Sequence, residues 1–536
     1  MAGFNVADLF ERVVDAVPER EAVVGGEIRW TYAQLDERAT RLAHALLDRG
    51  IDPGDFVGCH MRNSAAHLEV ILACFKMRAV PVNVNDRYVR DEAEYVCRDA
   101  GVAAVFVDAD LSAHVAALGG LQVAVGTPTY AELIASGSRQ RRFAERSGDD
   151  HYVLYTGGTT GLPKGVVWRQ EDIFFAALGG GNPGGPPITR PEEIVASVLD
   201  NPAQRLRPFL APDDAGPAQF VSLALGPLTH ASGQWSAFGA LLGGGKVVLS
   251  CERSIDMTSV LDLIEREQVN ALNIVGDASA RPLLDTLAAD RNRWDTSSLR
   301  LIGSGGSILS ADAKQALLDK LPSVLALVEG IGSSESPAQG VALTTRTSGV
   351  VQSLTFAAKA ETVVVDDDLR PIARGSDEVG RLATRGRVPI GYHNDPERTA
   401  RTFVEIDGMR WSLPGDMATI DADGTVHLLG RGSQCINTGG EKVYPEEVEA
   451  VLKLDPAVED AIVVGEADER YGERVVAIVA PTGGRAAPTL AQLQARCRER
   501  LAGYKIPRAL HLVTEVVRTP AGKADYAWAR RVIETA

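Results

Sequence analysis

An α/β chain with largely parallel sheets, closed by a smaller α+β unit, is the fold class the sequence predicts. Three observations carry it. Helical and strand-like apolar patterns alternate through the first part of the chain. A glycine- and threonine-rich segment at 155–167 follows an apolar strand. Beyond residue 431 the pattern changes to glycine turn, helix, two strands, helix and strand.

The elements follow in order. TYAQLDERATRLAHALLDRGI sets Leu35, Ala39, Leu42, Leu46 and Leu47 at helical spacing, and Gly50 suits the cap that ends it. Asp52-Pro53-Gly54-Asp55 turns the chain into the apolar run Phe56-Val57-Gly58-Cys59. HLEVILACFKMRAVPVNV repeats helix then strand, and AAVFVD at 103–108 reads as a buried strand. Residues 179–187, GGGNPGGPP, can sustain neither helix nor strand and are expected as a surface loop. Gly179 to Gly184 spells G-x-G-x-x-G. It follows a predicted helix and runs into Pro186-Pro187, so it cannot open a dinucleotide-binding helix. After Arg431, a glycine turn leads to a helix starting near Pro445. VEDAIVVGEA, RVVAIVAP and ALHLVTEV then read as strands, and LAQLQARCRERLAG as a helix. Residues 432–536 thus form a unit of about 100 residues, enough for its own core, joined to a body spanning 1–431.

Composition narrows the function classes. The chain has 536 residues, 45% hydrophobic and 24% charged, which excludes a disordered chain, a fibre or a coiled coil. Its net charge of −16 argues against broad capture of nucleic acid. No apolar run approaches the length of a membrane span, and the acidic start, with Asp8 and Glu11, does not resemble a secretory segment. The six cysteines have no C-x-x-C spacing and suit a reducing compartment. A cytoplasmic protein without stable membrane insertion is expected.

The chemistry concentrates in YTGGTTGLPKGVV. Four glycines, three threonines and Lys164 fall between Thr156 and Val166. Glycines let several backbone N–H groups converge on one anion, hydroxyls add donors or metal ligands, and the lysine adds charge. A polyphosphate needs this set. The string is not a Walker loop, since no G-x-x-x-x-G-K-[ST] occurs. Further along stand Pro227-Leu228-Thr229-His230, Gly303-Ser304-Gly305-Gly306, Gly330-Ile331-Gly332-Ser333-Ser334-Glu335, Pro414-Gly415-Asp416, Gly430-Arg431 and Pro520-Ala521-Gly522-Lys523.

Six motifs in this order resemble the adenylate-forming superfamily, and within it the acyl-CoA synthetases, nearest to actinobacterial steroid side-chain CoA ligases. The resemblance implies a large N-terminal domain of stacked α/β sheets with a β-barrel-like subdomain, and a small mobile α+β C-terminal domain. It implies that a carboxylic acid and Mg²⁺-ATP give acyl-AMP, which CoA then converts to a thioester. Thr156, Gly157, Gly158, Thr159, Thr160 and Lys164 would hold the phosphates. Ser304, Gly305, Gly330 and Ile331, with Gly332, Ser333 and Ser334, would surround the adenine. Asp416 and Arg431 would bind ribose or phosphate, and Glu335 with Thr156 would hold the magnesium.

Lys523 would stabilise charge building on the α-phosphate, and His230 would line the carboxylate or thiol path. Trp235, Phe238, Gly303 and Gly306 would form the acyl pocket, Ser433 the hinge, and Gly439 and Gly440 the CoA side. Three positions depart from the family: Ile331 replaces an aromatic, Pro414 a threonine, and Ser433 an acidic or lysine hinge residue. The preferred acid is bulky and polycyclic, steroid- or terpenoid-like, with a medium- or long-chain fatty acid second. An acyl-AMP ligase that stops before CoA is a further alternative. An amino-acid-activating domain lacks its acidic partner, since His230-Ala231-Ser232-Gly233-Gln234-Trp235 has no carboxylate. A non-catalytic nucleotide sensor is at odds with intact Lys164, Glu335, Asp416 and Lys523. No nucleic acid partner is expected, and a homodimer is compatible with the sequence.

Overall fold

The computed structural model describes residues 3–158, 161–180, 187–200, 206–210, 214, 216–290, 293–350, 354–438, 441–468, 472–501, 503–519 and 523–535. A four-stranded parallel sheet runs in the order Val80–Asn83, Phe56–His60, Ala104–Asp108, Leu121–Val125. A second, fifteen-stranded sheet has a parallel half built from Glu21–Gly25, Lys246–Leu249, Val221–Ala224, Ala271–Ile274, Leu301–Gly305 and Ala326–Ser333. These short strands are mostly buried, as parallel strands covered on both faces must be.

The helix Ala65–Met77 lies between the sheets. It packs on Glu21–Gly25 of the large one and on Phe56–His60 and Val80–Asn83 of the small one. It is buried on every side, which its sequence allows because only Glu69 and Lys76 carry charge. Lys76 is fully buried and neutralised by Glu11 at 2.5 Å and Asp36 at 2.6 Å. The preceding helix, Tyr32–Leu47, starts with a Thr31–Gln34 capping box and is followed by Gly50 at φ +78°. Among the described residues no helix is long and apolar enough to cross a membrane.

The large sheet turns antiparallel at the hairpin joining Ala326–Ser333 to Ser336–Thr345 and continues through Thr355–Ala358, Thr425–Arg431, Asp416–Ile420 and Ser376–Arg385. Arg431 ends its last strand in chain order. The next strand, Ile436–Thr438, belongs to a separate five-stranded sheet with Glu441–Val443, Gly472–Pro481, Val458–Asp468 and Ala509–Leu512. The helix Pro445–Leu452 has its proline in the first turn, where a missing N–H costs nothing.

The glycine-rich segment belongs to a hairpin, His151–Gly158 against Gly161–Arg169, with Gly391–Tyr392 as a third strand. Backbone pairing across the ladder satisfies groups that a free loop would leave to water. Thr159 and Thr160 lie outside the described residues, as does most of the expected 179–187 loop.

Candidate active site

The hairpin register sets Thr156 opposite Lys164, and Val166 opposite Tyr392 on the third strand. This brings three groups together. Lys164 Nζ lies 2.8 Å from Glu335 Oε1 and donates to the Tyr392 hydroxyl at 2.8 Å, and that hydroxyl donates to the same Glu335 oxygen at 2.8 Å. Lys164 Nζ also sits 4.2 Å from the Tyr392 ring centre. Glu335 is 4% exposed, in the turn between Ala326–Ser333 and Ser336–Thr345. Burial, then the Glu335 charge, pushes the Tyr392 hydroxyl far above its ordinary value, so it stays protonated and keeps donating. Trp168 Nε1 donates to the Ser334 carbonyl at 3.0 Å and ties the hairpin to the Glu335 turn.

Lys164 and Glu335 open on a cavity of about 250 Å³ walled by both sheet bodies. Thr156, Lys164, Ser304, Gly305, Gly306 and Glu335 line it from the large body, with Gly330 to Ser334 and Asp416. Asp416 begins its strand opposite Arg431. Ile331, Phe356, Leu382 and Leu428 form an apolar part of the wall. Glu446, Glu449, Arg518, Lys523 and Tyr526 come from the small body. Gly430, at φ +119°, makes the close approach of the two bodies feasible, because a Cβ there would overlap the Glu446 carboxylate.

Lys523 is exposed, and the described residues on either side of it are well anchored. Arg518 donates twice to Asp460, at 2.6 Å each, and Lys453 adds a 2.8 Å contact to the same carboxylate. Arg518 bridges to Ala524 across the loop, and Thr519 N donates to the Lys523 carbonyl at 2.8 Å. Pro520 to Gly522 lie outside the described residues.

His230 does not line this cavity. It caps the helix Ala231–Leu242, and burial first, then the Lys523 and Arg87 charges, hold its imidazolium pKa down at about 4. It is therefore neutral at neutral pH. Asn83 positions it indirectly: its amide nitrogen donates to the Tyr155 carbonyl at 2.7 Å and the Thr229 carbonyl at 2.6 Å.

Of the residues expected on the acyl wall, Phe238 and Gly303 do not face this cavity. Phe238 is fully buried in the core, edge-on to Phe75 at 5.7 Å, and is not on the cavity. Gly303 faces the Asn273 amide, which fills the space its missing side chain leaves. Trp235 packs beside the same core as Phe238. Gly306 alone of the four lines the cavity, with open space where a Cβ would stand. Ser433 lies in the short turn Gly432–Gln434 between the two bodies, and Gly439 and Gly440 lie outside the described residues.

Sequence reasoning missed Tyr392, Asn83 and the Arg518–Asp460 anchor. An asparagine closing the apolar strand Val80–Asn83 was a usable signal, since strands disfavour it. The others had no local signature.

A fold of stacked sheets with a phosphate-type hairpin and a lysine delivered by a second body defines an adenylate-forming enzyme. The AMP-binding enzyme family matches residues 10–392, and the AMP-binding enzyme C-terminal domain matches 447–523. The chain belongs to this family, and it is an AMP-forming acid–thiol ligase. It is 41% identical to a 3-oxocholest-4-en-26-oate–CoA ligase of Rhodococcus rhodochrous, over 98% of this chain and 95% of the relative. It is 40% identical to a medium/long-chain-fatty-acid–CoA/3-oxocholest-4-en-26-oate–CoA ligase of Mycolicibacterium smegmatis, over 99% and 96%. Among solved structures, ATP-bound MatB from Rhodopseudomonas palustris aligns with a TM-score of 0.81 at 25% identity, covering 98% of this chain and 99% of that one.

Proposed function

We propose that the chain activates a bulky polycyclic carboxylic acid, steroid- or terpenoid-like, as its acyl-adenylate and transfers the acyl group to CoA. The observation that carries the reading is one cavity on which Lys164, Glu335 and Asp416 of the large body meet Lys523 of the small one. The names of the steroid-acid ligases at about 40% identity support the substrate class.

In the first half-reaction a carboxylate oxygen attacks the α-phosphorus and the bond to pyrophosphate breaks. Thr156, Gly157, Gly158, Thr159, Thr160 and Lys164 cradle the phosphates, and Asp416, with Arg431 opposite, accepts the ribose hydroxyls. Lys523 bridges acid and α-phosphate as charge builds there. Thr156 and Glu335 fit a magnesium site: a hydroxyl and a buried carboxylate share one cavity, and this ion takes few protein ligands beside substrate phosphates. Bound there, it supplies charge neutralisation at the pyrophosphate. In the second half-reaction the CoA sulfur attacks the acyl carbon, the thiol proton leaves to solvent, and AMP departs. Rotation at Ser433 would withdraw Lys523 and bring Gly439 and Gly440 to the CoA side. His230, neutral, lines that path.

A fatty acid of medium or long chain is the second reading, favoured by the dual name of the Mycolicibacterium relative. A pyrophosphate-release screen pairing polycyclic with linear acids of equal carbon number, each followed by CoA and mass detection of the thioester, separates them. The polycyclic acid should have the higher kcat/KM, because a rigid ligand loses less rotamer freedom on binding. A clear preference for linear acids would replace the first reading by the second.

A further inference from the structure

We propose that Asp99 is a positioning residue for the triphosphate, holding the glycine-rich hairpin in place from behind; this rests on the reading above that the hairpin cradles the phosphates. Strand alternation puts Thr156 on the cavity and its neighbour Tyr155 on the opposite face, in the core shared with the small parallel sheet. There the Tyr155 hydroxyl donates to Asp99 Oδ2 at 2.6 Å. Burial, then the Asp99 hydrogen bond, pushes that hydroxyl far above its ordinary value, so it remains a donor. The Tyr155 ring fills the space beside Gly165, where an added Cβ would stand 2.8 Å from it. Gly165 pairs with Tyr155 across the hairpin and adjoins Lys164. The Asp99 carbonyl also accepts from Asn394 Nδ2 at 2.8 Å, two residues beyond Tyr392.

One residue thus ties down chain next to Thr156, Lys164 and Tyr392. The need for such a tie follows from size. The hairpin and Gly391–Tyr392 make a sheet of only three strands, which holds side chains firmly only when packed on a larger body. The helix Arg90–Ala100 does not itself call for an acid at this place. Asp99 stands in its last turn, where the helix dipole disfavours a carboxylate, and the adjacent Arg98 pairs with Glu94 at 3.0 Å. The Tyr155 hydroxyl supplies the reason the helix lacks.

The test is equilibrium binding of Mg²⁺-ATP and of AMP to the full-length protein, for wild type, Asp99→Ala, Asp99→Asn and Tyr155→Phe. AMP lacks the β- and γ-phosphates and so reports the rest of the site. In Asp99→Ala and Tyr155→Phe, ATP should bind roughly tenfold more weakly, the low end for a hydrogen bond to a charged acceptor, with AMP affinity unchanged. Asp99→Asn keeps an acceptor oxygen for the hydroxyl and should recover most of the ATP affinity. The double variant Asp99→Ala/Tyr155→Phe should be no worse than either single change, because both act through one contact. Unchanged ATP affinity in the folded single variants overturns the inference. So does an equal loss for ATP and AMP, the sign of a general loosening. Those outcomes leave the phosphate role of the hairpin standing, whereas a Lys164→Ala protein that binds Mg²⁺-ATP as wild type does would end that reading and the inference with it.

Discussion

Two lysines face the same cavity from different bodies, and they are held in opposite ways. Lys164 sits in the middle of a paired strand, with Glu335 and Tyr392 each 2.8 Å from its ammonium. Its charge is compensated before any nucleotide arrives. Lys523 is exposed on the small body, tied through its backbone to Thr519, with the Arg518–Asp460 pair behind it. A group that cradles phosphate through the whole reaction can be built into a sheet. A group needed only while charge builds on the α-phosphate is better carried by an element that can leave.

The comparison can be broken most sharply at Lys523. Lys523→Ala should lower adenylate formation on the order of 10²–10³-fold or more, since it removes charge stabilisation specific to that transition state. Thioester formation from preformed acyl-AMP should be far less affected, and stopped-flow assays of the separate half-reactions decide it. Equal loss in both would place the lysine in general binding instead. Asp460→Asn tests the anchor. With Arg518 loosened, adenylation should slow roughly tenfold, a loss of about 1.4 kcal/mol, while the second half-reaction is spared. A variant that merely unfolds would lose both together.

At the other lysine a smaller effect is expected. Tyr392→Phe removes one hydroxyl but leaves the Lys164–Glu335 pair, so KM for Mg²⁺-ATP should rise roughly five- to tenfold, the worth of about 1 kcal/mol. Little change in KM with a large fall in kcat would mean the tyrosine acts on the transition state instead.

The smallest effect concerns the body that holds Lys164 in place. His60 and His67 are buried there, and burial first of all holds each pKa down at about 4 from the ordinary 6.5. Between these values the unfolded chain binds protons that the native chain does not. Stability is therefore fully present above 6.5 and falls as pH drops towards 4, by up to about 1.4 kcal/mol per pH unit for each group. Thermal melts across that range should show the fall, and His67→Gln should flatten it. A melting temperature unchanged between neutral pH and pH 5 would show that both rings are protonated in the native state.

Much of this was legible in the residues alone. Apolar periodicity placed the helix Tyr32–Leu47, because that pattern depends on which face is buried and little else. Composition around Lys164 and the order of the motifs identified the chemistry, since anion binding by backbone N–H groups needs glycine and leaves a local trace. Tertiary structure alone decided which residues meet. Tyr392 reaches Lys164 from 228 positions away through a third strand. Phe238, apolar and near His230 in sequence, turns into the core because the helix Ala231–Leu242 packs that face inward. Pattern records whether a side chain is buried, but what a buried side chain touches is set by strand register and by the approach of one body to another, which no local stretch encodes.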